Sequence, residues 1–260
     1  MANLKVRDVM DVMEELAPIS LAQSYDNVGL LIGSESEVVN KVILGLELTD
    51  SLLEEAILKE CDLIIVHHPL IFKPLKKIIS QDVIGSKVIK LIKENISLYV
   101  AHTNLDTTLG GLNDYVASKL GIQVDTIKVD DEIPNIRVGS IKEMTMLDLA
   151  KHVKSSLDLD YLHYCGDEKT LVSRVGLCTG SGMSFYKEAM SKEVDVFITG
   201  DMKYHDATLS VDMKVPIIDA THYGSEILVS EFLYSELNKS FKGNIEFVVH
   251  ELYDNPIKTI

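Results

Sequence analysis

The chain has 260 residues, 46% of them hydrophobic and 25% charged, enough to enclose a large core as one or two globular domains. With 40 acidic against 25 basic residues the net charge is −15, which argues against a broad phosphate-backbone footprint and so against nucleic acid as a partner. No apolar run approaches a membrane span, and three cysteines without CxxC spacing predict reduced thiols and a cytoplasmic protein.

Read in chain order, the pattern alternates helix and strand. Val9, Met10, Met13 and Leu16 form a helical stripe over about 6–17. Strand-like runs follow at 28–32 and 41–48. Ser51-Leu52-Leu53-Glu54 has capping-box spacing and predicts a helix to about residue 60. A strand at 62–66, a loop bounded by Pro69 and Pro74, a helix at about 82–94 and a strand at 96–101 come next. Gly110-Gly111 interrupt the chain before a helix that ends at Gly121. The second half repeats the theme: Val175-Gly176-Leu177-Cys178-Thr179 echoes Leu44-Gly45-Leu46-Glu47-Leu48-Thr49. Each is followed by a helical segment and an Asp-led apolar strand. The expected fold class is α/β, two related halves with mainly parallel mixed sheets facing a shared cleft, divided as 1–128 and 129–260, with the C-terminal part able to pack back on the first half.

Five metal-type side chains each lie just beyond an apolar strand-like run. His67 and His68 follow Leu63-Ile64-Ile65-Val66. Asp106 follows the run ending in Ala101, and His222 and Glu226 follow Val215-Pro216-Ile217-Ile218-Asp219-Ala220. In α/β proteins ligands collect at the carboxyl ends of strands. Three imidazoles and two carboxylates there suit a divalent metal, and the count exceeds what one tetrahedral ion uses. Pro69 keeps His68 extended, so the two adjacent histidines suit two different metals, or one ligand and one supporting residue. Taken singly each signal has an ordinary reading: a structural histidine pair, a helix cap at Asp106, a surface His/Glu contact. The shared strand-end placement is what makes a metal site.

Other polar clusters surround these. His102 is a candidate proton carrier or ligand-orienting partner. Tyr25, Asp26 and Asn27 precede an apolar strand and are candidates to line a substrate pocket. Asp201 and His205, in Thr199-Gly200-Asp201-Met202-Lys203-Tyr204-His205, are candidates for substrate binding and proton transfer, with a helix cap and a surface histidine as the alternative. Lys73, Lys76 and Lys77 form a small basic cluster whose plain reading is a solvated loop. Thr179-Gly180-Ser181-Gly182 looks like a phosphate-cradling turn but lacks the P-loop Lys-Ser/Thr.

Tyr25-Asp26-Asn27-Val28-Gly29-Leu30, Val66-His67-His68-Pro69-Leu70, His102-Thr103-Asn104-Leu105-Asp106, Thr199-Gly200-Asp201 and His222-Tyr223-Gly224-Ser225-Glu226 together resemble the NGG-interacting-factor-like family, known as GTP cyclohydrolase I type 2. The resemblance spans nearly the whole chain. It implies a dinuclear centre with His67, His68, Asp106, His222 and Glu226 as ligands of two divalent ions, of zinc, iron, manganese or cobalt. It implies a toroidal homohexamer, and GTP or another nucleotide as substrate, with hydrolytic opening of the guanine imidazole ring and release of formate. His102 or His205 would then shuttle protons, and Tyr25, standing where many members have Trp, would stack on the substrate ring. Two alternatives remain open at this stage: a metal-dependent hydrolase of a phosphoester or cyclic amide, and a non-catalytic metal-binding scaffold.

Overall fold

The computed structural model of the chain describes residues 3–127, 133–250 and 255–260. These form two compact units, one made of Met1–Thr108 with Val229–Ile260 and the other of Leu109–Leu228. This division falls elsewhere than the 128/129 boundary expected from sequence. The reason is tertiary packing: the segment after the Gly110-Gly111 break packs with the strands that follow it, and the last helix and strand return to the first sheet.

The first unit opens with α1 (Val6–Leu16) and β1 (Gly29–Ile32). It continues through β2 (Lys41–Gly45), α2 (Asp50–Leu58), β3 (Leu63–Val66), α3 (Val83–Lys93), β4 (Ser97–Val100) and the short α4 (Thr103–Thr107). The second unit contains α5 (Leu112–Lys119), β5 (Gln123–Val124), β6 (Arg137–Thr145), α6 (Met146–Ser156), β7 (His163–Cys165) and β8 (Leu171–Leu177). It is completed by α7 (Tyr186–Ser191), β9 (Val196–Thr199), α8 (Tyr204–Met213), β10 (Ile217–Asp219) and α9 (His222–Glu226). The chain then re-enters the first unit with α10 (Val229–Phe241) and β11 (Glu246–Val249).

The first sheet has the order β1-β4-β3-β2-β11. Its pairings are parallel except β1 with β4. Every residue of β3 and β4 is buried, as continuous apolar runs in a parallel sheet covered on both faces require. Ile43, Leu52, Leu53, Ile64, Val66, Leu91, Leu98 and Val100 make the core under α2 and α3. The start of α2 differs from expectation. Thr49, not Ser51, caps the helix, its hydroxyl accepting from the Leu52 N–H at 3.1 Å, and Ser51 lies inside the first turn. Both residues satisfy the capping preference locally; Thr49 has the extended backbone that a cap needs.

The second sheet has the order β5-β6-β8-β9-β10-β7. Only β8-β9 and β9-β10 are parallel; the outer pairings are antiparallel. The parallel trio β8-β9-β10 repeats β2-β3-β4 of the first unit, which is the echo seen between 44–49 and 175–179. In each trio the loops that carry ligand-type residues leave the carboxyl ends of the strands.

Candidate functional site

In the first unit β3 delivers His67 and His68 directly. Their backbone N–H groups reach the end of β2, His67 to Gly45 and Leu46 and His68 to Leu46 at 2.9 Å, so the pair is anchored before its rings are placed. The two ring centroids lie 5.1 Å apart, and each is within 5.5 Å of the His102 ring. One ligand atom from each of His67, His68 and His102 falls within 4.8 Å of the others, a group that could hold a metal ion.

The hydrogen bonds on the far side of each ring decide which nitrogen points inward. His67 Nδ1 donates to the Ala101 carbonyl at 2.7 Å. His68 Nδ1 donates to Glu47 Oε1 at 2.9 Å. His102 Nδ1 donates to the Asp26 carboxylate at 2.9 and 3.0 Å. Carbonyls and carboxylates only accept, so each Nδ1 carries a proton, and in the neutral form of each ring it is Nε2 that presents the lone pair. This is the arrangement that metal-ligating histidines adopt.

Asp106 sits in α4, which His102 opens. Asn104 holds that turn: its Oδ1 accepts from the His102 N–H and its amide donates to the buried Ala17 carbonyl at 2.7 Å. Asp106 Oδ1 then faces His67 Nε2 at 3.5 Å. A lone-pair nitrogen opposite a carboxylate oxygen repels it unless a cation or a proton lies between.

Asp26 is spent on this scaffold. Besides His102 it accepts from the Thr103 N–H and hydroxyl. Burial pushes its acidity down, but the hydrogen bonds it accepts from His102, Thr103 and the Asn27 N–H outweigh it and hold the carboxyl well below the usual range. Asn27 donates its amide to the Ile71 carbonyl and so pins the loop after the histidine pair. Tyr25 is different: it is 63% exposed, with its ring edge-on to Phe72 at 6.2 Å.

In the second unit β10 ends at Asp219, Thr221 caps α9, and α9 runs over His222–Glu226. The i,i+4 spacing puts the two side chains on one side of a single turn. His222 Nε2 lies 3.0 Å from Glu226 Oε2, while its Nδ1 donates to Asp201 Oδ2 at 2.7 Å. The same logic leaves the Nε2 lone pair of His222 facing a carboxylate, and Glu226 is buried. Asp201 thus orients an imidazole. His205, by contrast, is at the exposed start of α8, its ring 5.5 Å from that of Tyr204.

Sequence reading missed three kinds of residue here. Glu47 lies just past β2 and reads as an ordinary strand-end acid until His68 is placed against it. Asp219 reads as part of an apolar strand. Gly180 and Gly200 look like turn residues, yet they make room for the ligand pair. A Cβ on Gly180, at φ +62°, would fall 2.1 Å from Glu226 Oε1, and one on Gly200 would fall 2.6 Å from the His222 backbone nitrogen. The Gly-rich Thr179–Gly182 segment was the available signal, because close approach of backbone to a functional group is a standard use of glycine.

The donor set fits a divalent metal: imidazole Nε2 atoms with fixed tautomers, each backed by an acceptor, beside buried or half-buried carboxylates. Comparison with known proteins agrees with the fold and with the family resemblance. The chain is 38% identical over 247 residues to the GTP cyclohydrolase 1 type 2 homolog of Clostridium acetobutylicum, covering 91% of this chain and 92% of that one. It is 35% identical to the GTP cyclohydrolase 1 type 2 of Helicobacter pylori, covering 88% and 92%. The crystal structure of Staphylococcus aureus protein SA1388 superposes with a TM-score of 0.90 at 29% identity, covering 99% of both chains. A Bacillus cereus protein related to NIF3 shares the fold, with a TM-score of 0.90 at 23% identity. The model of the Duf34/NIF3 (NGG1p interacting factor 3) family matches residues 4–256, and the chain belongs to that family.

Proposed function

We propose that this chain is a metal-dependent hydrolase acting on a purine nucleotide, with opening of the guanine imidazole ring of GTP as the reaction its relatives' names point to. The observation that carries the metal half of this reading is the uniform presentation of Nε2. Four histidines, His67, His68, His102 and His222, each have Nδ1 committed to an oxygen acceptor. Structural His250 also turns Nδ1 to a carboxylate, but its Nε2 meets the Ser51 hydroxyl; these four instead each belong to a group of side chains that could hold a metal ion. The ligand set is His67, His68, Asp106, His222 and Glu226, holding two divalent ions. When bound, such ions supply Lewis acidity and make water acidic enough to react at neutral pH.

The chain's own residues have separable roles. Asp26 keeps His102 in one tautomer, so His102 is equipped to take a proton at Nε2 and return it to the leaving nitrogen. Exposed Tyr25, steadied by Phe72, offers a face on which a purine ring stacks. Asn27 holds the loop beside the histidine pair. Asp201 orients His222. His205 stands on an exposed helix start, so proton transfer is assigned to His102 alone.

The test is direct. Protein loaded separately with zinc, iron, manganese and cobalt is incubated with GTP, and formate and ring-opened product are measured. Formate release that chelator abolishes and one metal restores is expected, and His102→Ala should slow it by about 10²–10⁴-fold. No formate with any metal, alongside turnover of another substrate that depends on His68, would leave the hydrolase and remove GTP.

A further inference from the structure

His222 is held by two segments whose backbones lie where ordinary side chains rarely go. Thr221, at φ 65° and ψ 154°, occupies a region that is almost exclusively glycine's. Asp201 has φ 57°, the left-handed region. A β-branched residue persists in such a conformation only when its surroundings impose it. The two segments also touch, since a Cβ at Gly200 would meet the Thr221 carbonyl carbon at 2.7 Å and the His222 nitrogen at 2.6 Å.

Asp219 lies at the point where both can be gripped. It is 6% exposed. Its Oδ1 accepts from the Thr221 N–H at 2.9 Å, and its Oδ2 accepts from the Met202 N–H at 3.1 Å. One carboxylate therefore binds Thr221 itself and the neighbour of Asp201. The downstream geometry follows: Asp201 Oδ2 reaches His222 Nδ1 at 2.7 Å, and His222 Nε2 stands 3.0 Å from Glu226 Oε2.

We infer that Asp219 is a positioning residue: by holding Thr221 and Met202 together it seats Asp201 behind His222 and aims His222 Nε2 and Glu226 at one divalent cation. The inference rests on the metal-binding reading of His222 and Glu226 given above. It assigns Asp219 no contact with metal or substrate. The two N–H donors need two acceptor atoms. Asparagine at 219 has the same shape but only one oxygen, and its amide nitrogen would face an N–H donor, so one of the two grips is lost.

The experiment uses the full chain and zinc as the probe. Zinc affinity is measured by competition with a chromogenic chelator for the parent, Glu226→Ala and Asp219→Asn. Asp219→Asn should bind about 10–100-fold more weakly, as loss of outer-layer support does at metal sites. A second readout needs no metal. In metal-free, histidine-labelled protein the Nδ1 proton of His222, assigned by its loss in His222→Ala, should be displaced or lost in Asp219→Asn. A residue needed only for folding would shift the thermal melt and leave that resonance in the folded protein unchanged. Should the asparagine variant not fold, Asp219→Glu is measured instead; its longer side chain keeps the charge but misplaces both oxygens, and the same two losses are expected. If the parent binds zinc through Glu226 while the folded Asp219 variant binds it equally well with the His222 proton in place, the inference is overturned and the metal reading stands. If the parent binds no zinc, the metal reading fails, and the aiming role of Asp219 goes with it.

Discussion

At the scale of single residues, the site depends on atoms that do not bind anything themselves. Glu226 is buried beside Gly180, so adding one methyl group there acts on a ligand. Gly180→Ala would bring Cβ to 2.1 Å from Glu226 Oε1 and place alanine at φ +62°. Both effects push the same way, and the expected outcome is a stability loss of about 1–3 kcal/mol together with weaker metal binding. A melt and a zinc titration on one preparation check it. Removing the carboxylate outright by Glu226→Ala should lower metal content by at least one ion per chain, read by elemental analysis of protein purified without chelator. Unchanged content in that variant, in His67→Ala and in Asp106→Ala would dispose of the ligand set. Asp26 gives a pH prediction. Its folded carboxyl is held below its ordinary value of 3.8. A depressed carboxyl contributes stability that is fully present above the unfolded value and is lost as the pH falls through the folded one. Asp26→Asn should therefore lower stability at neutral pH by about 2 kcal/mol, the scale of a hydrogen bond to a charged group. It should also flatten the acid side of the stability profile, measured by urea unfolding from pH 7 down to acid.

At the scale of elements, the return of the chain to the first sheet is the feature with the largest consequence. β11 pairs in parallel with β2, and its end is tied to α2 by His250. The His250 side chain is buried, its Nδ1 on the Glu55 carboxylate and its Nε2 3.3 Å from the Ser51 hydroxyl. Partial burial pushes the Glu55 carboxyl up, but hydrogen bonds from Lys59 and His250 pull it further down, so the net direction is below the ordinary value. His250→Ala removes a buried hydrogen-bonded ring and should destabilise the chain by about 1–3 kcal/mol. The loss should concentrate at the C-terminal strand. Hydrogen exchange is the measurement: protection in β11 and at the start of α2 should fall before protection in β3 and β4. Uniform loss across the first sheet would show that the tie is not local.

For the whole molecule, the family resemblance carries an expectation of assembly as a toroidal hexamer. Closed symmetry is the usual form of a soluble homo-oligomer. Light scattering on the pure protein should give a mass several times that of one chain, and a monomer at micromolar concentration with metal present would remove the ring. No helix among the described residues is long and apolar enough to cross a membrane, as the composition led one to expect.

Much of this was legible without coordinates. Apolar runs marked β2, β3, β4, β8, β9 and β10, because strands buried in parallel sheets must be continuously hydrophobic. Local order along the chain also placed His67, His68, Asp106, His222 and Glu226 just past strand ends, since a strand's direction is written in its own sequence. What local order could not carry was long-range pairing. The sequence divided the chain at 128/129 and allowed the C-terminal part to pack back on the first half; the compact units divide at 108/109 and again at 228/229, because sheet neighbours are chosen by packing between segments far apart in sequence. The acceptors behind the histidines were hidden for the same reason. Asp26 is 76 residues from His102, and Glu47 and Asp201 are each 21 residues from the imidazole they orient. Residue types and strand ends, which depend on neighbours in sequence, were determined by the sequence alone. Tautomers, the room made by Gly180 and the grip of Asp219 were decided only when folding brought separate segments within hydrogen-bond distance.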